Sequence, residues 1–207
     1  SRSKLPANDE EALQDSMILR VKNQLKIRTE DVSFVIDELK IVFEKDKRFS
    51  QVADFDKIGI FGHSFGGCTS IMSAYNDTRI DAVIGLDAYF LPLPKEIIKK
   101  DLNTPFVHLG QVSWGDSDNY EVMSELGKSS NREFYHFAIE GSKHNDYTDF
   151  SQFTKLTRKF GSGKISPKSI RYIMNDVMLG FFDYHLKNRS IFDHNQYQKK
   201  YESVKTY

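Results

Sequence analysis

This 207-residue chain has only one cysteine, a formal net charge of zero and no long apolar run. The single cysteine, Cys68, excludes an internal disulfide and leaves the redox compartment undetermined. The chain has 29 basic and 29 acidic side chains, and this balance argues against nucleic-acid binding, which normally requires a basic excess. Because no run of about 18 apolar residues occurs, we expect no membrane-spanning helix.

Several motifs for bound ligands are absent too. The sequence contains neither the G-x-x-x-x-G-K-[ST] phosphate loop nor the G-x-G-x-x-G dinucleotide fingerprint. Its histidines and acidic residues lack metal-ligand spacings such as H-E-x-x-H. We therefore expect no cofactor and no catalytic metal. The chain starts at Ser1 without a methionine or an apolar signal region, so we expect a processed or partial product.

The clearest functional signal is the stretch KIGIFGHSFGG at residues 57–67. Its apolar run Ile58–Phe61 predicts a buried strand. The residues that follow, Gly62-x-Ser64-x-Gly66, fit a nucleophile elbow, the sharp strand-to-helix turn that lifts a serine above a sheet. We expect this turn to be strained and to bring residues 62 and 66 so close together that only small residues fit there, which accounts for the glycines at both positions.

Strands and helices alternate along the chain. Strands are predicted at 58–61, 81–87, 104–111 and 133–140, and helices at 11–27, 29–47, 65–75, 120–127, 149–160 and 167–186. Residues 1–10 are expected to form a loop and residues 188–207 a polar tail. This alternation predicts a single α/β domain over residues 1–207, with a mostly parallel sheet flanked by helices.

The predicted sheet is incomplete. Two helices and no convincing strand precede the elbow strand, although a nucleophile elbow normally lies in the middle of a sheet. A buried parallel strand with a free edge would be costly and prone to aggregation. We therefore expect an N-terminal fragment or chain to supply the missing strands, either as a separate polypeptide or upstream of a nicked or disordered loop that ends near Ser1.

A serine nucleophile needs a base, and in this kind of sheet the histidine comes last in the chain order serine, acid, histidine. Of the six histidines, His144 alone lies in a loop directly after the last predicted strand, so it is the predicted base. The side chain of His63, next to Ser64, is expected to point away from the reacting hydroxyl. The other histidines are expected to pack inside strands or to lie in and beyond the last helix: His108, His136, His185 and His194.

The acid that orients the base is not decided by the sequence pattern. Asp87 ends one predicted strand and Asp116 follows the next, so both remain candidates. Asp146 is too close to His144 in sequence to orient it easily. The backbone N–H of Phe65 is the expected oxyanion donor, and a second donor would come from the missing strands. Loss of one such donor lowers the turnover rate by a factor on the order of 10²–10³, so we expect the chain alone to be nearly inactive.

The stretch 149–160 allows two interpretations. Its apolar side chains, among them Phe150, Phe153 and Leu156, recur at helical spacing beside basic residues. Such a stripe can pack into a protein core, or it can lie on a lipid surface.

Three segments of the sequence resemble one known family. They are FGHSFGG at 61–67, IGLDAYFLPL at 84–93, and the short loop with His144 before Asp149-Phe150. Through these segments, over about residues 12–186, the chain is similar to the plasma-type (group VII phospholipase A2) platelet-activating factor acetylhydrolases. The resemblance implies an α/β-hydrolase fold, of which this chain is the C-terminal portion. It also implies that Asp87, in the L-D-A motif, is the acid of a catalytic triad with Ser64 and His144.

The same resemblance implies a function. It implies a serine hydrolase that removes short or oxidised sn-2 acyl chains from phospholipids without calcium, in a secreted or lipid-associated setting. It also implies a lipid-contacting aromatic segment after the histidine, which favours Phe150, Phe153 and Leu156 as lipid contacts. The expected partners are a small lipid ester and a membrane or lipoprotein surface. Two alternatives stay open: a general short-chain carboxylesterase or polyester hydrolase, and a non-catalytic lipid-binding relative.

Overall fold

The computed structural model describes residues 7–114, 118–189 and 191–207. A five-stranded sheet organises them, in the order β1-β2-β3-β4-β5. The strands are β1 (Ile58–His63), β2 (Ile80–Leu86), β3 (Phe106–Gln111), β4 (Phe134–Ile139) and β5 (Val204–Thr206). The first four strands are parallel, and β5 runs antiparallel to β4. The prediction of a mostly parallel sheet flanked by helices is confirmed.

Helices join and flank the strands, because parallel neighbours need a crossover connection. They are α1 (Ala7–Lys45), α2 (Lys47–Ser50), α3 (Phe65–Asn76), α4 (Lys95–Ile98), α5 (Asp118–Ser129), α6 (Phe150–Phe153), α7 (Pro167–Lys187) and α8 (His194–Lys200), with 3₁₀-helices at His144–Tyr147 and Lys155–Phe160. Helix α7 starts as predicted: the Ser166 hydroxyl accepts a hydrogen bond from the N–H of Ser169 at 3.0 Å, and Pro167 is the first helical residue.

The N-terminal part of the chain forms one long helix, where the sequence predicted a loop and two helices. Helix α1 starts at Ala7, within the predicted loop, and continues without a break to Lys45. The expected interruption near residue 29 does not occur, and the hydroxyl of Thr29 donates to the carbonyl of Leu25 at 2.8 Å. Thr29 thus satisfies its hydroxyl inside the helix instead of capping a new one.

Two buried clusters of apolar side chains hold the sheet between its helices. Strands β2 and β3 are almost completely buried, as their continuous apolar sequences require. One cluster includes Ala82, Ile84, Val107, Leu109, Phe137, Val177 and Phe181, and the other includes Leu25, Cys68, Ile71, Val83, Phe90, Phe106 and Leu126. The first cluster joins the sheet to α7, and the second joins it to α1, α3 and α5. This packing fixes the carboxyl ends of the strands, where the candidate functional residues lie.

Strand β1 lies at one edge of the sheet. Among the described residues it pairs with β2 only. Phe61 on this strand is 58% exposed, and several apolar side chains of α1 are exposed as well: Leu19, Ile27, Phe34, Val35, Leu39, Ile41 and Val42. The strand before the elbow therefore has a free edge beside an uncovered apolar surface.

Two regions near the end of the chain differ from their predictions. The helix predicted at 149–160 is broken at Thr154, which is extended (φ −165°, ψ 154°) and whose hydroxyl accepts the N–H of Leu156 at 3.3 Å. The predicted tail at 188–207 instead contributes α8 and the edge strand β5, whose Val204 is completely buried. No helix within the described residues is long and apolar enough to cross a membrane.

Candidate active site

Ser64 lies between the last residue of β1, His63, and the first residue of α3, Phe65. Its backbone has φ 57° and ψ −122°, a conformation that costs a non-glycine residue on the order of 1–3 kcal/mol. Two backbone hydrogen bonds hold it there: the N–H of Ser64 donates to Leu86 O, and the N–H of Tyr89 donates to Ser64 O, both at 3.0 Å. The elbow is thus fixed to the end of β2 and to the residues that follow it.

Close approach of backbone segments explains one of the two expected glycines. A Cβ atom on Gly62 would overlap the carbonyl group of Gly66, so residue 62 must be glycine. The same expectation for Gly66 is wrong, because a Cβ atom there would have no neighbour within 4 Å outside its own helix. The second tight position is Gly67, where a Cβ atom would lie 2.5 Å from the Cβ of Ala88. Helix α3 can approach the segment after β2 because Gly67 has no side chain.

Asp87 directly follows β2, with φ 43°, and its side chain is completely buried. Its Oδ2 lies 2.6 Å from Nδ1 of His144. Gln111 donates its backbone N–H to Oδ1 and its side-chain amide to Oδ2, both at 3.0 Å. Trp114 donates its indole N–H to Oδ1 at 3.1 Å. These hydrogen bonds give both oxygens of the buried Asp87 side chain a partner and fix its orientation toward His144.

His144 begins the 3₁₀-helix that follows β4, at the same end of the sheet as Ser64 and Asp87. Its loop is held by Asp146, whose carboxylate accepts the N–H of Lys143 at 2.9 Å and that of Gly163 at 2.6 Å. Asp146 therefore stabilises the loop, while Asp87 contacts the imidazole. The other candidate acid of the sequence pattern, Asp116, lies outside the described residues.

The side chain of His63 lies against His144, a contact that the sequence did not predict. The two ring centroids are 4.4 Å apart, and Nε2 of His63 lies 3.0 Å from the backbone carbonyl of His144. That carbonyl can only accept, so Nε2 of His63 carries the proton. Burial, followed by the nearby His144, lowers the pKa of His63. His63 therefore supports the position of the loop that carries the candidate base.

Two buried residues that sequence reasoning did not assign to the site fix the turn after Asp87. Nε2 of His108, predicted only as a packing residue, accepts the N–H of Ala88 at 3.1 Å. Asn119 accepts the N–H of Phe90 at 2.6 Å and donates to Ala88 O at 3.1 Å. His108 and His136 face each other across β3 and β4, and burial lowers the pKa of both, that of His136 to about 4. Polar residues inside a strand or at a helix start give no sequence signal for such a role.

The remaining predicted residues have distinct surroundings. Phe65 is the first residue of α3, where a backbone N–H has no acceptor within the helix and can bind an oxyanion.

Phe150 is half-buried, whereas Phe153 and Leu156 are exposed, so this stretch is only partly packed into the protein. Burial raises the pKa of the Cys68 thiol to about 12, as is usual for a small core residue. Over the described residues, no cluster of three or more metal-ligating side chains occurs.

Comparison with known proteins relates the chain to one family. The family model described as "Platelet-activating factor acetylhydrolase, isoform II" matches residues 12–206. The chain is 29% identical over 143 residues to a platelet-activating factor acetylhydrolase of Gallus gallus, and 29% identical over 166 residues to one of Canis lupus familiaris. These alignments cover 68% and 79% of this chain but 34% and 35% of the relatives. The chain thus spans about a third of the length of the curated relatives it matches.

A solved structure agrees with the fold. "Ferulic acid esterase from Streptomyces cinnamoneus at 2.4 A resolution" is similar with a TM-score of 0.69 at 22% sequence identity. The similarity covers 90% of this chain and 55% of that chain. The fold is therefore part of an α/β-hydrolase, as the sequence predicted.

Proposed function

The chain belongs to the platelet-activating factor acetylhydrolase family, and on that premise we propose that it is a serine ester hydrolase with Ser64 as nucleophile, His144 as base and Asp87 as acid. The observation that carries the proposal is the 2.6 Å contact between Asp87 Oδ2 and His144 Nδ1. It lies at the end of the sheet where the strained Ser64 follows β1. A buried carboxylate bound to an imidazole near a strained serine is the arrangement that activates a hydroxyl nucleophile.

The proposed reaction assigns one residue to each step. Ser64 Oγ attacks the acyl carbonyl carbon while Nε2 of His144 takes the hydroxyl proton, and Asp87 stabilises the imidazolium. The N–H of Phe65, at the positive end of α3, donates to the developing oxyanion. The ester bond then breaks, and the alcohol leaves with the proton from His144. A water molecule attacks the acyl-serine with the same base, which releases the acid and restores Ser64.

We infer that the ester is the short or oxidised sn-2 acyl group of a phospholipid. Family membership and the names of the chicken and dog relatives support this substrate class. The exposed side chains of Phe153 and Leu156 support it too, because they follow the His144 loop closely in the chain and could contact lipid. No step of the proposed reaction uses a metal ion, so activity should persist in the presence of a calcium chelator.

The proposal includes a further segment that pairs with the free edge of β1 and supplies the second oxyanion donor. Three observations support it: the single pairing of β1 within the described residues, the exposed apolar side chains of α1, and the relatives' greater length. The occupant we propose is an N-terminal strand segment of the same protein family. Its effect on activity should be large, because one oxyanion donor is worth on the order of 10²–10³ in turnover.

The catalytic roles are tested by conservative replacements. Ser64→Ala is expected to abolish labelling of the protein by a fluorophosphonate probe, because the probe reacts with an activated serine hydroxyl. Asp87→Asn is expected to lower kcat by roughly 10³–10⁴-fold, because the amide cannot stabilise the imidazolium. Asp116→Asn, the same change at the other candidate acid, serves as control and should change kcat little. Persistent labelling of Ser64→Ala, or equal losses at 87 and 116, would contradict the assignment.

The lipid preference is tested by presenting esters in two forms. A short-chain sn-2 phospholipid in vesicles is compared with soluble p-nitrophenyl acetate and butyrate. We expect Phe153→Ser to slow hydrolysis of the phospholipid in vesicles but not hydrolysis of the soluble esters. Phe153 is 78% exposed, so its replacement should remove a contact with the membrane and leave the packing of the protein unchanged. Ile191→Ser, at another apolar side chain that is 84% exposed, is the matched control. Equal rates on vesicles for both variants, or a general preference for the soluble esters, would favour an ordinary carboxylesterase.

A further inference from the structure

Trp114 contacts both the acid and the base of the proposed triad. Its indole N–H donates to Oδ1 of Asp87 at 3.1 Å. Its ring stands edge-on to the imidazole of His144, with centroids 5.0 Å apart and planes inclined by 72°. Tyr89 stacks on the indole at a centroid distance of 5.9 Å, nearly parallel at 16°. The indole is therefore held in place by a hydrogen bond and by an aromatic neighbour.

Gln111 and His63 each make direct contacts with one member of the pair. Gln111 donates two hydrogen bonds to Asp87, and His63 contacts His144 through its ring and through Nε2. Trp114 contacts both Asp87 and His144, so a shift of the indole would change the positions of the carboxylate and the imidazole together. His144 lies between two rings, that of His63 and that of Trp114.

We propose that Trp114 is a positioning residue that orients the Asp87–His144 pair and lowers the basicity of His144. This inference rests on the proposed function. A donor on Oδ1 shares the negative charge of Asp87, so the imidazolium of His144 is stabilised less than it would be by a carboxylate without that donor. The ring edge restricts rotation of the imidazole, because an edge-to-face contact has a preferred geometry.

Two titratable groups face His144 among the described residues: Asp87 from the segment after β2, and His63 from the end of β1. Asp87 is held by several donors, and the pKa of His63 is lowered, first by burial. The following test therefore replaces His144 and Asp87 in turn.

The first test needs no substrate. Trp114 is the only tryptophan of the 207 residues, and a protonated imidazole in contact with an indole quenches its fluorescence. The fluorescence of the 207-residue chain carrying Ser64→Ala should fall as the pH is lowered, with one transition. His144→Gln, which cannot take the proton, should remove that transition, and Asp87→Asn should move it to lower pH. The same transition in His144→Gln would overturn the proposed contact.

The second test separates the two effects of the indole. Trp114→Phe keeps an aromatic ring but removes the N–H, so the acidic limb of the kcat/KM profile should move to higher pH by roughly 0.5–1 unit. Trp114→Leu also removes the ring edge, so it should in addition lower kcat at the plateau by about ten-fold or more. KM should change little in either variant. An unchanged pH profile in Trp114→Phe, with normal thermal unfolding, would show a merely structural role and overturn the proposal.

The outcomes distinguish this inference from the proposed function. If the chain hydrolyses no ester even with the proposed N-terminal segment present, but the fluorescence transition depends on His144, the proposed function fails and the contact of Trp114 with the pair stands. If hydrolysis depends on Ser64 while the Trp114→Phe profile is unchanged, the proposed function stands and the role of Trp114 fails. Should Trp114→Phe not fold, the fluorescence test on the Ser64→Ala, His144→Gln and Asp87→Asn chains still decides whether the contact exists.

Discussion

Backbone contacts, more than side chains, hold Ser64 in its reactive position. Its N–H and C=O bond to Leu86 and Tyr89. Gly62 and Gly67 allow α3 to approach the segments on either side of the elbow. Together these contacts must offset the roughly 1–3 kcal/mol that a serine costs in this conformation. The position of the nucleophile therefore depends on backbone groups and on glycines, and not on reactive side chains.

Neighbouring glycines offer a matched test of this dependence. We expect Gly67→Ala to lower the free energy of unfolding by roughly 1–3 kcal/mol, because its Cβ atom would lie 2.5 Å from that of Ala88. Gly66→Ala should leave stability unchanged or raise it by up to about 1 kcal/mol, because alanine is the better helix former and nothing crowds it. Urea unfolding of both variants measures the difference. A greater loss for Gly66→Ala would contradict the packing at the elbow.

Motif and chain order were enough to propose Ser64 and His144 from the sequence, since these residues lie beside predicted strand ends. The choice of Asp87 over Asp116 required the family resemblance, because sequence spacing does not show which carboxylate reaches the imidazole. The contacts of His63 and Trp114 could not be predicted. They depend on where the loops after β3 and β4 return to the sheet, and no periodic pattern encodes that.

Helix α1 is attached to the rest of the protein near its middle. Leu25 is 3% exposed and packs in the same cluster as the core residues of α3. A turn further on, the guanidinium of Arg28 lies 4.9 Å from the ring centroid of Phe65, the residue after the nucleophile. Much of the remaining apolar surface of α1 is exposed. Over residues 19–45, the position of this long helix thus rests on few buried side chains.

One replacement at two positions on α1 tests this attachment. Leu25→Ala is expected to lower the free energy of unfolding by roughly 2–4 kcal/mol, because it removes buried methyl groups and leaves a cavity. Leu19→Ala removes the same atoms at a position that is 60% exposed, and should change stability by about 0.5 kcal/mol or less. Thermal or urea unfolding measures both. Similar losses at the two positions would show that α1 is buried along its length in solution.

The strands β1 to β4 and the helices α3, α5 and α7 lie within a few residues of their predicted positions, because their apolar patterns are long and clear. The errors occurred where a single polar side chain decides the local structure. Thr29 bonds back to Leu25 inside the continuous α1, whereas Thr154 is extended and interrupts the helix predicted at 149–160. Strand β5, Val204–Thr206, is too short to show alternation, and its existence depends on pairing with β4.

The two edges of the sheet differ in kind. On one side β5 adds to β4 in the antiparallel sense, with Val204 buried. On the other side β1 has no partner beyond β2 in the described part of the chain, and Phe61 on this strand is exposed. Alternate N–H groups of an edge strand point away from its neighbour and have no ladder acceptor. Both β1 and β5 carry such outward groups, and β1 is the longer of the two edge strands, Ile58–His63 against Val204–Thr206.

Hydrogen exchange tests whether another strand binds there. In the 207-residue chain alone, we expect the outward N–H groups of β1 to exchange rapidly, and those of β3, in the middle of the sheet, to exchange slowly. Adding the proposed N-terminal segment should slow exchange in β1 and leave β3 unchanged. Equal protection of β1 with and without that segment would contradict the proposed pairing.

The position of Ser64 at the end of an edge strand has a practical consequence. A strand that pairs with β1 would also lie next to the nucleophile, so its binding would change the rate of ester hydrolysis directly. Binding could then be measured without a separate label. Ester turnover, titrated against increasing amounts of the segment, would rise along a saturation curve whose midpoint gives the dissociation constant. A colorimetric esterase assay would then serve as a binding assay for the two parts of the protein.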